Sequence, residues 1–364
     1  MLEKRSNTPG VRAVFLHGRP AGHPSNARLA RTVTNDFFFT DELLKYSDGS
    51  GGGAKKYLSW ILNALFLPLK SYPIVLTESL RFVVLPMRRL GRLGKKRKAM
   101  AMVCDETLYF MHTGYYKPST QKAFLELLRS YDGFICLGKF QENLLKLFLP
   151  ECKCVTTFYG TPTHRIKALA EVMPDLSSHN ILLIANGPGG FRTWYKGMDL
   201  MLGAFEKARE ALPHLTFTIV GDWAPDTIKQ LLLKNCPRSA GAVRFAGQLD
   251  DFTSDLRRSA LYLHCARGEA WGISINEALA AGLPAIVSAQ TGASQIVSQV
   301  SGSLITTLEP QEITNKILWY FSLSLQEREH LSARSREIVS AYTEEKSLND
   351  FKEKFHQLEK ELGL

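Results

Sequence analysis

The sequence lacks the cysteine patterns of metal-binding and disulfide-linked proteins. Its 6 cysteines include no CxxC pair and none at zinc-ligand spacing from a histidine, so we expect no metal site. Cys104, Cys136 and Cys265 lie in apolar runs and are expected to be reduced core residues. No stretch approaches the roughly 18 consecutive apolar residues of a spanning helix, and residues 1–7 are too polar for a signal peptide. These absences predict a cytoplasmic protein.

The chain is long enough for two domains. Single hydrophobic cores stop growing near about 250 to 300 residues, and this chain has 364. Short apolar runs alternate with longer amphipathic ones, which is typical of parallel sheets with helices on both faces. The predicted strands are Ala13–Leu16, Ile74–Thr77, Ala99–Cys104, Gly133–Leu137, Ile181–Ala185, Thr216–Val220, Ala260–Cys265 and Ala285–Ser288. This rhythm pauses after Tyr159, so we predict a first domain over 1–163 and a second over 164–345.

Positive charge is concentrated in the first part of the chain. Residues 1–160 hold 24 Lys and Arg against 12 Asp and Glu, whereas the remainder holds 21 against 23. The stretch 81–98 contains no acidic residue, and its cations are Arg81, Arg88, Arg89, Arg92, Lys95, Lys96, Arg97 and Lys98. The two halves are therefore expected to meet different partners.

An amphipathic segment precedes this basic stretch. Residues 55–70, KKYLSWILNALFLPLK, combine lysines with aromatic and aliphatic residues and resemble an interfacial anchor. Each basic residue near an anionic leaflet contributes about 1 kcal/mol to adsorption, so we expect an anionic membrane surface as a partner. Alternatively, the apolar residues are core and the cations are a solvated surface. No nucleic-acid partner is expected, because no RNA- or DNA-binding module is recognisable.

The segment 260–287 predicts a strand, a polar turn and a helix that begins near Gly272. The first N–H groups of such a helix have no intrahelical acceptor and, with the helix dipole, favour a phosphate at the end of the strand. Glu269 precedes the helix and Glu277 lies about one turn into it, so both carboxylates can line one cavity and accept sugar hydroxyls. The alternative is a plain turn with two solvated glutamates.

A second glycine-rich turn follows the strand at 181–185. The sequence NGPGG leads to Arg192 and Lys196, and then to Gly197 and an amphipathic helix. A cation pair at this turn is suited to meet a diphosphate. Alternatively, both cations are solvated loop residues.

The block GEAWGISINEALAAGLPAIVSAQTGASQIV resembles the E-x7-E signature of the family-four retaining glycosyltransferases. The resemblance implies the GT-B architecture, in which two Rossmann-like, doubly wound α/β domains face a central cleft. It implies that Glu269 contacts the transferring sugar and Glu277 binds the ribose of the donor. It also implies that backbone amides at Gly272 and Ile273 bind the phosphates.

Further positions follow from the same resemblance. Arg192 and Lys196 would act on the diphosphate, although they lie closer together than the commonest family spacing. Arg244 or Phe245 would touch the nucleobase, with a plain core-strand role as the alternative. The turn at 291–293 is similar in position to the family's Gly-Gly turn. The C-terminal helix, 346–364, would pack back on the first domain.

The acceptor side is less well marked. The loop HGRPAGHPSNARLARTV follows the first strand, and related enzymes place a glycine-rich loop there, which makes Gly22 a candidate opposite the phosphates. His17, Arg19 and His23 are candidate cleft residues, with a structural role as the alternative. Where many family members carry a histidine, this chain has the pair Asp105 and Glu106, which either bind the acceptor or are solvated turn residues.

The resemblance implies a retaining, metal-independent transfer of a sugar from a nucleoside diphosphate, with a UDP- or GDP-sugar as co-substrate and no other cofactor. The acceptor would be a glycan or a lipid-linked glycan of cell-envelope polysaccharide or glycoconjugate synthesis, at the inner face of the membrane. No protein nucleophile is expected, since the leaving phosphate would deprotonate the acceptor hydroxyl. The alternatives are a catalytically silent GT-B subunit that binds a partner transferase or a glycan, and a GT-B phosphorylase or epimerase.

Overall fold

The computed structural model describes residues 13–17, 24–39, 53–67, 69, 72–187 and 191–364. The chain divides into two compact units, one of residues 1–158 with 347–364 and one of residues 159–346. The first segment of the first unit ends at residue 158, before the boundary at 163 that the sequence predicted. The backbone of Thr161 bonds to Tyr342 and Glu344 at 3.0 and 2.9 Å, which attaches this segment to the second unit.

The first unit contains a parallel sheet in the order β2-β1-β3-β4-β5-β6. Its strands are β1 Ala13–His17, β2 Phe37–Phe39, β3 Ile74–Glu78, β4 Lys98–Val103, β5 Gly133–Leu137 and β6 Cys154–Thr157. Its helices are α1 Pro24–Arg31, α2 Gly53–Phe66, α3 Val84–Arg89, α4 Thr107–His112, α5 Pro118–Arg129 and α6 Lys139–Phe148. The chain moves outward from β1 in both directions, so the strand order reverses between β1 and β3.

The second unit contains a parallel sheet in the order β12-β11-β10-β7-β8-β9. Its strands are β7 Asn180–Ile184, β8 Thr216–Val220, β9 Val243–Gly247, β10 Leu261–His264, β11 Ala285–Ser288 and β12 Ile305–Thr306. Its α-helices are α7 Thr163–Ala170, α8 Phe191–Tyr195, α9 Met198–Ala211, α10 Pro225–Asn235, α11 Thr253–Arg257, α12 Ile273–Ala280, α13 Ser294–Val300, α14 Pro310–Ser322 and α15 Leu325–Val339. Two short 3-10 helices occur at Ala240–Ala242 and Gly302–Leu304.

These two sheets confirm the predicted α/β fold with parallel strands. Each of the eight predicted strands has a counterpart, and strands such as β1, β3, β5 and β10 are buried throughout. Continuous burial matches their continuous apolar sequence, as expected for parallel strands covered on both faces. The short strands β2, β6 and β12 were not predicted, because two to four residues carry too little periodicity.

The last helix, α16 Glu344–Glu361, belongs from residue 347 onward to the first unit. Its apolar face is buried there, through Phe351, Phe355 and Leu358. The Leu358 side chain packs on Gly133, where an added Cβ would lie 3.1 Å from it. Asp350 Oδ2 also accepts a hydrogen bond of 2.6 Å from Thr157 at the end of β6. The sequence had predicted a helix over 346–364 that packs on this domain.

Much of the basic stretch 81–98 is used inside the first unit. Arg92 donates to the carbonyls of Ala64 and Leu67, and Arg97 donates to those of Leu69 and Tyr72. The bonds of Arg92 cap the C-terminal end of α2, whose last carbonyls have no intrahelical donor, and those of Arg97 hold the segment that follows the helix.

Other cations of the stretch pair with acidic side chains. Arg88 and Lys98 contact Asp132 at 2.7 and 3.6 Å, and Arg89 contacts Glu126 at 2.5 Å. Lys95 and Lys96 remain exposed. Within the described part of the chain, no helix is long and apolar enough to cross a bilayer.

Replacing Leu358 by alanine tests how α16 is held. We expect Leu358→Ala to lower the free energy of unfolding by about 2–4 kcal/mol, because a buried leucine leaves a cavity. Urea unfolding followed by circular dichroism measures the change. Leu147→Ala on α6 is the control, because that side chain is 62% exposed and its loss should cost under about 0.5 kcal/mol. Equal losses in the two variants would contradict the packing.

Candidate functional site

The carboxyl ends of β7 and β10 lie side by side where the strand order of the second sheet reverses. The chain runs from β7 outward through β8 and β9, and then returns to β10 and runs outward on the other side. In open α/β sheets, the crevice outside such a reversal is the usual ligand site. The loop after β7 carries Lys196 and the loop after β10 carries Glu269, so the topology brings these two predicted residues together.

Helix α12 begins at this edge of the sheet. Gly272 precedes it with φ 91°, a conformation that favours glycine, and a Cβ there would lie 2.8 Å from Ile275. The N–H groups of Ile273 and Ser274 at its start have no intrahelical acceptor, whereas Ile275 N donates to the Gly272 carbonyl at 3.0 Å. The Tyr262 hydroxyl lies 2.9 Å from Ser274 Oγ and holds this end of the helix against the sheet. The predicted phosphate-binding amides therefore lie at the strand reversal.

The turn at 291–293 fixes the loop that carries Glu269. Gly292 N donates to the Glu269 carbonyl at 3.0 Å, and Ala293 N donates to the Trp271 carbonyl at 2.9 Å. A Cβ at Gly292 would lie 2.0 Å from the carbonyl oxygen of Ala270, so no other residue fits without a shift of the backbone. The backbone of Glu269 is therefore set by a turn more than twenty residues away.

The segment with Lys196 is docked onto the same loop. Arg267 N donates to the Tyr195 carbonyl at 2.9 Å, and the Tyr195 hydroxyl donates to the Gly268 carbonyl. Gly197 has φ 68°, and a Cβ there would lie 2.1 Å from the Cys265 carbonyl oxygen. Arg267 also donates two hydrogen bonds of 2.7 Å to the Asp199 carboxylate, which join the start of α9 to the same loop. Lys196 is thus held beside the start of the Glu269 loop.

Lys196 Nζ donates to Glu269 Oε2, and the two side chains are 18% and 16% exposed. Burial alone would raise the pKa of Glu269, but Lys196 and His264 act in the opposite direction and hold it well below its usual range. Glu269 is therefore an anion at neutral pH. A carboxylate and an ammonium in contact beside a helix N-terminus form a site for a polar, charged ligand.

His264, the last residue of β10, was not identified from the sequence. Its Nε2 lies 3.6 Å from Glu269 Oε2, and neither ring nitrogen has a hydrogen-bond partner among the described residues. Burial lowers the pKa of His264, so the ring is neutral at pH 7. Its position at the end of a predicted strand was the available signal, but an apolar strand with one histidine normally indicates a core residue.

Glu277 has a partner that the sequence did not suggest. Arg165 Nε on α7 donates to Glu277 Oε1 at 2.9 Å, and the Arg165 guanidinium lies 5.0 Å from the centre of the Phe252 ring. Arg244, the predicted nucleobase contact on β9, is instead ion-paired with Asp255. The contact of Arg244 with a nucleobase stays a prediction.

Several predicted residues are not described. Arg19, Gly22 and His23 lie outside the described residues. The backbone of Arg192 forms part of α8, but its side chain is outside the described part of the structure.

The first unit has its own polar cluster at the carboxyl end of its sheet. His17 ends β1 and its ring lies 6.0 Å from the Phe15 ring. Asp105 follows β4, and its Oδ1 accepts a hydrogen bond of 3.0 Å from Thr107 N. Glu106 is the residue before α4. These predicted acceptor residues therefore lie at the carboxyl ends of β1 and β4, two strands of one sheet with β3 between them.

Glu78, which ends β3, joins this cluster and was missed. Asn26 Nδ2 donates to its Oε1 at 3.0 Å and Arg81 Nη2 contacts its Oε2 at 3.2 Å. The next residue, Ser79, has φ 57°, which is uncommon for a residue other than glycine and is found more often at functional sites. The rule that singled out Asp105, a carboxylate after a predicted strand, applies equally to Glu78.

No group of three or more His, Cys, Asp and Glu residues in the described ranges is arranged to hold a metal ion.

Removing the cation from the Lys196–Glu269 pair tests its burial. We expect Lys196→Met to lower the free energy of unfolding by about 3 kcal/mol, because the variant leaves a poorly solvated carboxylate without its cation. The double variant Lys196→Met/Glu269→Gln should recover part of this loss. Arg89→Met, which breaks the solvent-exposed contact with Glu126, is the control and should cost under about 1 kcal/mol.

The pH dependence of unfolding checks the same pair. The folded-state pKa of Glu269 is depressed, so its contribution is present above the usual value of 4.5 and is lost as pH falls below it. The loss of stability between about pH 5 and about pH 3 should therefore be shallower in Lys196→Met than in the wild type. Identical pH profiles in the wild type and in Lys196→Met would contradict an ion pair between Lys196 and Glu269.

Comparison with known proteins gives matches in sequence and in fold. The family described as Glycosyl transferases group 1 matches residues 179–322. The phosphatidyl-myo-inositol mannosyltransferase of Mycolicibacterium smegmatis is 33% identical over 96 residues, which cover 26% of this chain and 24% of that protein. The matched segment thus spans about a quarter of that relative.

Solved structures resemble nearly the whole chain. Sucrose-phosphate synthase from Thermosynechococcus elongatus aligns with a TM-score of 0.68 at 16% identity, covering 96% of this chain and 99% of the other. HepE from Anabaena, in complex with UDP and glucose, aligns at 0.69 and 13% identity, covering 97% and 100%. WaaG, a glycosyltransferase involved in lipopolysaccharide biosynthesis, aligns at 0.65 and 16%, covering 94% and 98%. The chain therefore has the GT-B fold of these structures, and residues 179–322 of its second unit match the family described as Glycosyl transferases group 1.

Proposed function

We propose that this protein is a retaining, metal-independent glycosyltransferase that moves a sugar from a UDP- or GDP-sugar to a glycan or lipid-linked acceptor. The observation that carries the proposal is the contact of Lys196 with Glu269 beside the first turn of α12, at the strand reversal of the second sheet. Cation, carboxylate and helix N-terminus supply what a sugar diphosphate needs: charge neutralisation, hydroxyl acceptors and amide donors.

Each part of the donor has a counterpart in this site. The amides of Gly272 and Ile273 donate to the diphosphate, and Lys196 with Arg192 neutralises it. Glu269 accepts hydrogen bonds from hydroxyls of the transferring sugar, and Glu277 accepts hydrogen bonds from those of the ribose. An ammonium has three N–H donors, so Lys196 can contact a phosphate oxygen while it holds Glu269.

Catalysis in this proposal is electrostatic. The bond between the anomeric carbon and the diphosphate oxygen breaks, and the acceptor oxygen bonds to the same face of that carbon. The departing diphosphate takes the proton of the acceptor hydroxyl, so no protein nucleophile is needed. Lys196 and the α12 N-terminus stabilise the charge that develops on the leaving group, and the second unit holds the donor in place for attack.

The acceptor is proposed to bind the first unit near His17, Asp105 and Glu106. Carboxylates at the carboxyl end of a parallel sheet are suitable partners for sugar hydroxyls. The partial relative named as a phosphatidyl-myo-inositol mannosyltransferase supports a lipid-linked acceptor, and the HepE structure with UDP and glucose supports a UDP-sugar donor. We place the reaction in cell-envelope polysaccharide or glycoconjugate synthesis.

A membrane surface is proposed as a partner of α2, at the inner face of the membrane. Leu65 and Phe66 near its C-terminal end are 47% and 69% exposed, which is unusual for large apolar residues. Arg92 and Arg97 bind backbone carbonyls at and just after this end of α2, and the exposed Lys95 and Lys96 lie between them in sequence. The proposed surface uses two lysines, fewer than the eight cations that the sequence suggested.

Nucleotide binding tests the donor site. A thermal-shift series with UDP, GDP, ADP and CMP should single out one base, since ligand at about 100 times its dissociation constant adds roughly 2.7 kcal/mol of stability. Glu277→Gln should remove most of the shift, whereas Glu337→Gln, which changes an exposed carboxylate of the same unit, should keep it. No shift with any nucleotide in the wild type would favour a silent GT-B subunit.

Turnover with the matching nucleotide sugar tests the chemistry that follows from this binding. An α-linked donor should give an α-linked product, as read from the anomeric proton by NMR, and the rate should persist in EDTA. A β-linked product, or complete loss of activity with the chelator, would refute the retaining, metal-independent reaction.

Vesicle co-sedimentation tests the membrane surface. The protein should bind vesicles of phosphatidylcholine and phosphatidylglycerol, and Lys95→Ala/Lys96→Ala should weaken partitioning about 30-fold at about 1 kcal/mol for each lysine. Lys352→Ala/Lys354→Ala on α16 is a control of equal charge. Equal binding by the two double variants would contradict a specific basic surface.

A further inference from the structure

Arg165 has no role in the site derived above, although it contacts one of the two carboxylates of that site. It is the third residue of α7, and its Nε donates to Glu277 Oε1 at 2.9 Å across 112 positions of sequence. The two side chains are partly buried. A charge-assisted bond of this length in a partly solvent-shielded place has a defined geometry, unlike a surface ion pair.

Arg165 is itself held from other directions. Its guanidinium lies 5.0 Å from the centre of the Phe252 ring, which fixes the plane of the group. The exposed carboxylate of Asp251 also attracts it. The guanidinium therefore has an aromatic ring beside it and the Glu277 carboxylate at its Nε.

Helix α12 is tied to the same part of the chain through a neighbouring residue. Asn276, which is fully buried, donates from Nδ2 to the Tyr159 carbonyl at 3.3 Å. Segment 159–165 thus holds α12 at two adjacent positions, by the amide of Asn276 and by the carboxylate of Glu277. The backbone and the side chain of Glu277 are both fixed from this segment.

The contact occupies only one oxygen of the carboxylate. Among the described residues, Oε2 of Glu277 accepts no hydrogen bond, and Oε1 keeps a second lone pair. A glutamate carboxylate rotates broadly about its last side-chain torsion when it is free. With Oε1 held by Nε of Arg165, the carboxylate plane is set before a ligand arrives, which lowers the entropy cost of binding a pair of vicinal hydroxyls.

We propose that Arg165 is a positioning residue that makes the donor site selective for ribonucleotides over 2′-deoxyribonucleotides, by holding the Glu277 carboxylate in the orientation that accepts both ribose hydroxyls. This inference rests on the proposed function, because it places the ribose at Glu277. Arg165 acts through Glu277 and touches neither the sugar nor the diphosphate.

Isothermal titration with UDP, GDP and their 2′-deoxy forms tests the proposal on the full chain. The wild type should bind the preferred ribonucleotide about tenfold or more tightly than its deoxy form, the value of one lost bond to a charged acceptor. Arg165→Gln should lower this ratio toward one, mainly by weakening the ribonucleotide. A merely structural role for Arg165 would weaken both nucleotides equally and leave the ratio unchanged.

Arg257→Gln is the matched control. Arg257 is an exposed cation of α11 that also acts on Asp251, and no side-chain contact with Glu277 involves it. This variant removes the same charge from the same neighbourhood and should keep the wild-type ratio. A lowered ratio in Arg257→Gln would mean that general charge, and not the orientation of Glu277, sets the selectivity.

Two further variants keep the test decisive if Arg165→Gln folds poorly. Arg165→Lys retains the charge but loses the planar N–H group, so it should also lower the ratio. The double variant Arg165→Gln/Glu277→Gln should bind no more weakly than Glu277→Gln alone, because Arg165 acts only through that carboxylate. Additive losses would overturn the proposal.

The outcomes separate the inference from the function on which it rests. If the wild type binds no nucleotide, the proposed function fails. If it binds but does not distinguish ribose from deoxyribose, or if Arg165→Gln and Arg165→Lys keep the full ratio, the role of Arg165 is wrong and the glycosyltransferase proposal stands.

Discussion

The parallel direction of β7 and β10 is the constraint on which the second unit's site depends. Parallel strands place all their carboxyl ends at one edge, so the loops that follow them meet although they are far apart in sequence. The order reverses between these two strands, which leaves room for the Lys196 and Glu269 segments to approach from opposite sides. Glycines at 197 and 292 then permit contacts that any side chain would block. The strand order therefore brings the two segments near each other, and the glycines allow their backbones to come into contact.

Three carboxylates at or near the carboxyl edges of the two sheets are each matched by a cation. Glu269 has Lys196, Glu277 has Arg165, and in the first unit Glu78 has Arg81. Poorly solvated carboxylates stay ionised only with such partners. Buried ion pairs add little net stability, so a chain that retains several of them at the ligand edges of its sheets uses them for binding or for order within the site.

Local patterns in the sequence were sufficient for some residues and not for others. Glu269, Gly272 and Glu277 were predicted because a strand, a turn and a helix stand within one short block, whose geometry is local. Arg165 was missed because its partner is 112 positions away and nothing near it in sequence signals a site. Charge counting also overstated the surface charge of 81–98, since Arg92 and Arg97 donate to carbonyls at and after the end of α2. Composition counts charges but does not reveal their partners.

Charge balance distinguishes Lys196 from Arg165, the two cations that pair with the glutamates of the proposed donor site. Glu269 and Glu277 carry two negative charges that Lys196 and Arg165 cancel, so a diphosphate would meet a site with no net charge from these four side chains. Its binding then depends on the first-turn amides of α12, on Arg192 and on a cation that can serve two anions at once. Arg165 is fixed between Glu277 and Phe252, and its plane allows no such exchange. Lys196 carries a rotatable ammonium on a flexible stem. In the proposed reaction, Lys196 is therefore the cation that shifts toward the leaving group as the sugar–phosphate bond breaks, while Arg165 keeps the nucleoside end still.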